Sequence, residues 1–249
     1  QDNTLPRWPV GKLGKPAKLQ LVNDLKYACN RGKQLILETL SVMPLVFRIP
    51  QLLTKAECEH VIHLARESGT GESQVAAGSS SSRLSENTFV KLQSAPDLAP
   101  FAERASCALG LKMSTLLAHT EQMQIVHYHP GGYYDVHMDA TDFQPRHATL
   151  LCYLQAPESG GETVFPLASN GTTSPVTFEQ FREAKEFVKH GTWMVEPRGL
   201  QVAPRAGDAV LWYNLSENAG PDLSSCHAAL AVQEGEKWVA NLWVAVELP

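Results

Sequence analysis

Long apolar stretches are missing from this chain of 249 residues. No uninterrupted run reaches the roughly 18 to 20 residues that a membrane-spanning helix needs, and no basic segment followed by an apolar core opens the sequence. Because it begins at Gln1 rather than Met, membrane association is expected only through an anchor upstream of that residue. Blocks of lysine and arginine are missing too. With 21 basic residues against 26 acidic ones the net charge is -5, so the chain lacks a phosphate-tracking surface and nucleic acid is not an expected partner. Cysteine is sparse, and the five present (Cys29, Cys58, Cys107, Cys152, Cys226) have no C-x-x-C spacing, which argues against a structural zinc site or an iron–sulfur cluster.

What is there is an ordinary globular composition, 43% hydrophobic and 19% charged, of a length that suits one large β-rich domain or two small ones. Two sequons, Asn170-Gly171-Thr172 and Asn214-Leu215-Ser216, favour a secretory location. Residues 1–40 carry Pro6, Pro9 and Pro16 and read as an extended arm with a first β segment near residues 18–21. Leu45-Val46-Phe47-Arg48-Ile49, bracketed by Pro44 and Pro50, reads as a short strand. Thr54-Lys55-Ala56-Glu57 has the form of a capping box, and Cys58, Val61, Ile62 and Ala65 continue it as the buried stripe of a helix, with His60 and His63 outward. Residues 68–87 are rich in glycine and serine and read as a linker or a mobile lid. A second helical pattern covers 97–109, and both helices are expected on the outside of a sheet.

Beyond Glu121 the period changes to two. Met123, Ile125 and His127 alternate with Gln124, Val126 and Tyr128; His127 and His129, on the face opposite Tyr128, read as structural. An apolar strand covers 148–154, with Thr149, Leu151 and Tyr153 on one face and Cys152 on the other. Residues 167–200 interrupt the β pattern as an insertion with a short capped helix from Thr177. Strand resumes at 201–212, and 227–232 with 237–246 read as a last hairpin around Gln233-Glu234-Gly235-Glu236. The expected class is therefore mainly β with flanking helices (α+β), built on a double-stranded β-helix, or jelly roll.

In that frame His137-x-Asp139 puts an imidazole and a carboxylate on one strand face. These are two thirds of the two-histidine, one-carboxylate set that leaves open positions on ferrous iron. A late-strand histidine should complete the set, and His227 is the best placed, since His190 sits in the insertion and His147 precedes a core strand. Ten residues later comes Lys237, sharing a face with Val239, Asn241 and Trp243. A lysine pointing into a barrel mouth is costly unless a carboxylate meets it. A 2-oxo acid that chelates iron and anchors its far carboxylate on the cation answers that cost, and 2-oxoglutarate has this shape.

The pattern Tyr128-x-x-Gly131-Gly132-x-Tyr134-x-x-His137-x-Asp139 is followed by Arg146-x-x-Thr149-x-x-x-Tyr153-Leu154 and Gly160-Gly161-Glu162-Thr163-x-Phe165-Pro166. Pro204-x-x-Gly207-Asp208-Ala209 comes next, then His227 and, ten residues on, Lys237-Trp238. Over about residues 42–247 these resemble the Fe(II)/2-oxoglutarate-dependent prolyl 4-hydroxylase family. Thr39-Leu40-Ser41-x-x-Pro44-Leu45-x-Phe47-x-Ile49-Pro50 and Trp238-x-Ala240-Asn241-x-Trp243 resemble its transmembrane, endoplasmic-reticulum branch.

The resemblance implies an arm at 1–40 and a catalytic domain at 41–249, with helical support and a lid loop at 41–120 and the jelly-roll core, including the 167–200 insertion, at 121–249. It implies that His137, Asp139 and His227 bind iron, that Lys237 and Tyr153 hold the C5 carboxylate of 2-oxoglutarate, and that Tyr128 meets the cosubstrate near the metal. Trp243 would wall the pocket and Thr149 would line it. The implied cofactors are Fe(II), 2-oxoglutarate and O2, with ascorbate as reductant. The implied reaction turns a prolyl residue of a peptide or protein into 4-hydroxyproline with release of succinate and CO2. Peptide contacts are expected at Arg83 and the 68–88 and 214–226 loops.

Two departures stand out. The animal transmembrane branch carries a calcium-binding EF-hand insertion after the first helix where this chain has only its serine/glycine loop, so no calcium regulation is expected. After His227 the family commonly has Gly and later Pro-Val, where this chain has Ala228-Ala229-Leu230-Ala231-Val232. Competing readings are a 2-oxoglutarate oxygenase acting on another side chain or a small molecule, and a non-catalytic jelly-roll module that binds metal or peptide. A metallohydrolase is disfavoured because it leaves Lys237 unexplained.

Overall fold

The computed structural model describes residues 16–19, 35–73, 82–169, 175–189, 195–216 and 220–245. Most of the N-terminal arm, residues 78–81 of the serine run, the Asn170 sequon and His190 lie outside them. Among the described residues, no helix is long and apolar enough to cross a membrane.

Helix α1 (Lys55–Ser68) begins where the capping box predicts. The Glu57 amide donates to Thr54 Oγ1 at 3.2 Å, and the Thr54 amide donates to Glu57 Oε2 at 2.8 Å. Such reciprocal capping satisfies two amides that have no partner within the helix and stabilises its start by about 1 kcal/mol. Cys58, Val61, Ile62 and Ala65 form its buried stripe, and α2 (Ala99–Ala108) and α3 (Met113–His119) join it over the same sheet face.

That face belongs to an antiparallel sheet of nine strands. Its order is β1 (Pro16–Leu19), β2 (Leu35–Ser41), β3 (Val46–Ile49), β13 (Ala209–Tyr213), β9 (Arg146–Gln155), β16 (Lys237–Ala245), β7 (Met123–Tyr128), β6 (Glu86–Val90) and β4 (Gly71–Glu72). A five-stranded sheet runs β12 (Leu200–Val202), β11 (Thr163–Phe165), β14 (His227–Ala229), β8 (Tyr133–His137) and β5 (Arg83–Leu84). A small ladder joins β10 (Ser159–Gly160) to β15 (Val232–Glu234). Alternation along the strands sorts the side chains. Ile125, Leu150, Cys152, Leu211 and Ala240 face the helices, whereas Val126, Leu151, Val210 and Val239 meet Phe165 and Val202 of the smaller sheet between the layers. This is the predicted jelly roll.

The insertion contributes α4 (Phe178–Lys189), opened by Thr177 and Gln180 in a second reciprocal cap. Phe181, Phe187 and Val188 of α4 cover Val136, Val164 and Ala228 on the outer face of the smaller sheet. Since Val136 turns out beneath α4, its neighbour His137 turns in.

Two expectations are corrected. Residues 227–232 and 237–246 do not form a hairpin: β14 pairs with β8 and β11, whereas β16 pairs with β7 and β9 in the other sheet. Closing two layers requires the chain to cross between them, and a local turn signal such as Gly235, at φ 81°, does not distinguish a crossover from a hairpin. The described ends of the 68–87 segment are also not simply linker, because β4 at the sheet edge pairs in register with β6, Gly71 opposite Asn87 and Glu72 opposite Glu86.

Candidate active site

The strand register brings two distant histidines together. His227 lies directly opposite His137 across the β14–β8 pair, with ring centroids 4.3 Å apart. Asp139 follows just beyond β8, its Oδ1 3.8 Å from His137 Nε2 and its Oδ2 3.7 Å from His227 Nε2. One ligand atom from each of the three falls within 4.8 Å of the others.

The histidines are oriented from behind. Nδ1 of His137 lies 2.8 Å from the Asp135 carbonyl and Nδ1 of His227 lies 3.0 Å from that of Ser225. A ring that donates from Nδ1 to a carbonyl leaves the Nε2 lone pair free, and here both Nε2 atoms face Asp139. Tyr134 stacks on His137 with centroids 3.6 Å apart, and Trp212 meets His227 edge-on at 4.7 Å. Burial, reinforced by His227, holds His137 well below the ordinary histidine range, so it is neutral. Burial opposes the Asp139 charge, but His227, His137, the Thr149 hydroxyl and Arg146 together hold its carboxyl below the usual value. A neutral imidazole, as at His137, and an ionised carboxylate, as at Asp139, are the ligating forms.

Thr149 Oγ1 donates to Asp139 Oδ2 at 2.7 Å and accepts from Asn214 Nδ2 at 2.8 Å. Arg146 reaches the Asp139 carbonyl at 3.3 Å, pairs with both oxygens of Glu121 at 2.6 and 2.7 Å, and lies over the Trp243 ring at 3.9 Å. The trio opens into a cavity of about 540 Å³ between the two sheets, within the usual range for small-molecule sites.

Lys237 and Tyr128, cross-strand neighbours in the larger sheet, form part of the opposite wall. Lys237 is only 2% exposed, and among the described residues no carboxylate forms an ion pair with it. Burial pushes its ammonium down to about 7, against the pull of Glu162. Its Nζ lies 5.1 Å from the Tyr128 ring centroid and 5.8 Å from that of Tyr153. Trp212 and Trp243 line the same cavity, and their indole nitrogens are buried without a hydrogen-bond partner. A buried cation without an ion-pair partner fits a ligand that carries an anionic oxygen. The two imidazoles and the carboxylate across from them fit a ferrous ion.

Of the residues expected here, His137, Asp139, His227, Lys237, Tyr128 and Trp243 all border the cavity. Thr149 and Tyr153 stand behind its lining, the Tyr153 hydroxyl donating to Thr163 Oγ1 at 2.9 Å. Arg83 also borders the cavity, largely buried, with its guanidinium 4.6 Å from the Tyr134 ring centroid.

A model of the 2OG-Fe(II) oxygenase superfamily matches residues 123–245, the stretch that carries the trio and Lys237. Prolyl 4-hydroxylase 2 of Arabidopsis thaliana is 32% identical over 224 residues, covering 84% of this chain and 69% of that protein. The chain belongs to the prolyl 4-hydroxylases of this superfamily. Another relative from the same plant is 34% identical over 220 residues; 84% of this chain spans 65% of its length. The fold agrees with the 2OG complex of the viral collagen prolyl hydroxylase from Paramecium bursaria Chlorella virus-1, at a TM-score of 0.54 and 24% identity over 81% of this chain and 96% of that one.

In this prolyl 4-hydroxylase family member, sequence reasoning missed Arg146, Trp212 and Asn214 as parts of the site. A signal for two of them was present, since Val210, Trp212 and Asn214 share one face at period two, and a polar residue continuing an inward apolar face asks for a partner. Asn214 also corrects the sequon reading. It is fully buried and its amide is committed to Thr149, so it is no glycan acceptor in the folded chain.

Proposed function

We propose that the chain is an Fe(II)- and 2-oxoglutarate-dependent dioxygenase that hydroxylates peptidyl proline to 4-hydroxyproline. Family membership supports the chemistry and the prolyl 4-hydroxylase relatives support the substrate class. The observation that carries the reading is Lys237, a buried cation sharing one cavity with a two-histidine, one-aspartate cluster. In this proposal His137 and His227 hold iron through Nε2 and Asp139 through its carboxylate, which leaves the remaining positions open. Lys237 takes the far carboxylate of 2-oxoglutarate, and Trp243 walls the pocket. When bound, iron and 2-oxoglutarate supply the oxidising power, with succinate and CO2 as the second pair of products.

The chain's own part is orientation and exclusion of water. The Asp135 and Ser225 carbonyls aim the imidazoles, the Thr149 hydroxyl aims the carboxylate, and Tyr134, Phe165 and Trp212 wall the rings with apolar surface. Arg83 and the 68–88 and 214–226 segments are proposed peptide contacts. Ascorbate is the proposed reductant. The proposed location is the endoplasmic reticulum, supported by the resemblance to the endoplasmic-reticulum branch of the family and by the remaining sequon at Asn170.

Succinate release with proline-rich peptides tests the reading. Peptide-stimulated turnover is expected for the wild type and none for H137A. Equal rates in the two would remove the iron trio, and stimulation by another substrate class alone would remove the prolyl assignment.

A further inference from the structure

A second cluster of ligating side chains lies on neighbouring strands of the larger sheet, with its histidines on the face opposite Tyr128. Glu86 opens β6 directly across from His127 on β7, and Trp238 flanks His127 from β16. His129 follows on the same side two residues later, its ring centroid 4.0 Å from that of His127. Glu86 Oε2 is 3.8 Å from His127 Nδ1 and Glu86 Oε1 is 3.6 Å from His129 Nε2. One ligand atom from each of the three lies within 4.8 Å of the others. A tetrahedral ion with bonds near 2.1 Å separates its donors by about 3.4 Å, a spacing to which this cluster contracts on binding.

The groups behind the cluster have the form expected of a metal site. Thr70 Oγ1 donates to Glu86 Oε2 at 2.7 Å and fixes the carboxylate. On the far side of the His127 ring, Nε2 lies 3.2 Å from Glu236 Oε2 yet outside hydrogen-bonding alignment, so this buried nitrogen has no hydrogen-bond partner. A slight ring rotation that directed Nδ1 to a cation would let Nε2–H donate to Glu236, the carboxylate–histidine–metal relay that fixes a ligand's tautomer. Trp238 stacks on the ring at 3.9 Å and 14°, which restricts it to in-plane movement. Burial, with His129 adding to it, holds His127 below the ordinary histidine range, so the ring is neutral and its lone pair available.

We propose that Glu86, His127 and His129 form a second metal site for a divalent ion of the zinc class, with Glu236 orienting His127 from behind. Two imidazoles and one carboxylate suit zinc, nickel or copper, whereas calcium requires a shell of oxygens that is not present here. The open side at exposed His129 admits water or a further ligand. The site ties β6 and β7 together beside the strand that carries Lys237, and it shares no residue with the iron trio.

Equilibrium dialysis of the whole chain against Zn2+, with metal counted per chain, tests this. The wild type is expected to bind two zinc ions, one in the iron trio and one here. H137A should keep one, and H137A combined with H129A or with E86Q should keep none. Because His129 and Glu86 are exposed or partly exposed, these changes leave the core intact, which circular dichroism checks. E236Q in the H137A background should weaken the remaining zinc by roughly 10- to 100-fold. An H137A chain without zinc, or one whose zinc survives H129A and E86Q, overturns the proposal.

Discussion

Thr149 donates its hydroxyl hydrogen to Asp139 Oδ2 at 2.7 Å, so the carboxylate of the trio is aimed by a side chain from the facing sheet. Thr149 is itself held by the Asn214 amide, which donates to its Oγ1 at 2.8 Å.

Thr149→Val keeps the shape and removes the donor. Ferrous iron giving half-maximal 2-oxoglutarate decarboxylation should rise by roughly 10- to 100-fold, the usual effect of losing a hydrogen bond to a metal ligand. Stability should fall by about 1–3 kcal/mol, the cost of a buried acceptor left short of a partner. N214A should move both quantities the same way by less. Iron titrations and urea melts check this, and an unchanged iron requirement would show that Asp139 is aimed without Thr149.

Lys237 gives a pH dependence with a definite sign. Its folded value is depressed to about 7 from 10.5, so between those limits the folded chain binds fewer protons than the unfolded one. Stability without cosubstrate should therefore rise with pH across that window, and Lys237→Met should abolish the rise. In the proposed reaction the cosubstrate binds the charged form, so affinity for 2-oxoglutarate should fall by up to tenfold per pH unit above about 7. Thermal melts and calorimetry at several pH values report the two trends.

Gly161 sits at φ 71°, and a methyl group there would come within 3.2 Å of Lys237 Cδ and Val232 Cγ2. Gly161→Ala should cost about 1–2 kcal/mol from the left-handed backbone alone. The displaced lysine stem should raise KM for 2-oxoglutarate more than it lowers kcat. Steady-state kinetics beside a melting curve separate the two effects.

If the chain is secreted through a glycosylating compartment, Asn170 and not Asn214 carries the glycan, because the Asn214 amide nitrogen is buried on Thr149. Mass mapping of glycopeptides from N170Q should find none, and a glycan at Asn214 of the folded protein would contradict the burial.

Much of the site was legible because its signals are local. His137 and Asp139 are two residues apart at the end of a strand, and Lys237 shares a face with Val239, Asn241 and Trp243, so period two alone placed them together. The same periodicity, with the capping box at Thr54, gave the helix and most strands. The pairing of β14 with β8 was not legible in this way. It joins residues about ninety positions apart, and register between strands that no short turn connects leaves no local trace. The mistaken hairpin around Gly235 has the same origin. The edge strands around Thr70 and Glu86 were hidden by composition, since their half-solvated side chains give no alternation to read.

The trio stands on or beside β8 and β14 of one sheet, and Lys237 with Tyr128 on β16 and β7 of the other. Sheets packed face to face keep a spacing of about 10 Å, set by the side chains of the whole sandwich and not by the site. In the proposed reaction the core works as a calliper whose jaws are the His137, Asp139 and His227 trio and the Lys237 cation. In that reaction a diacid one carbon shorter than 2-oxoglutarate should therefore bind more weakly, because the span between the jaws follows from the spacing of the two sheets.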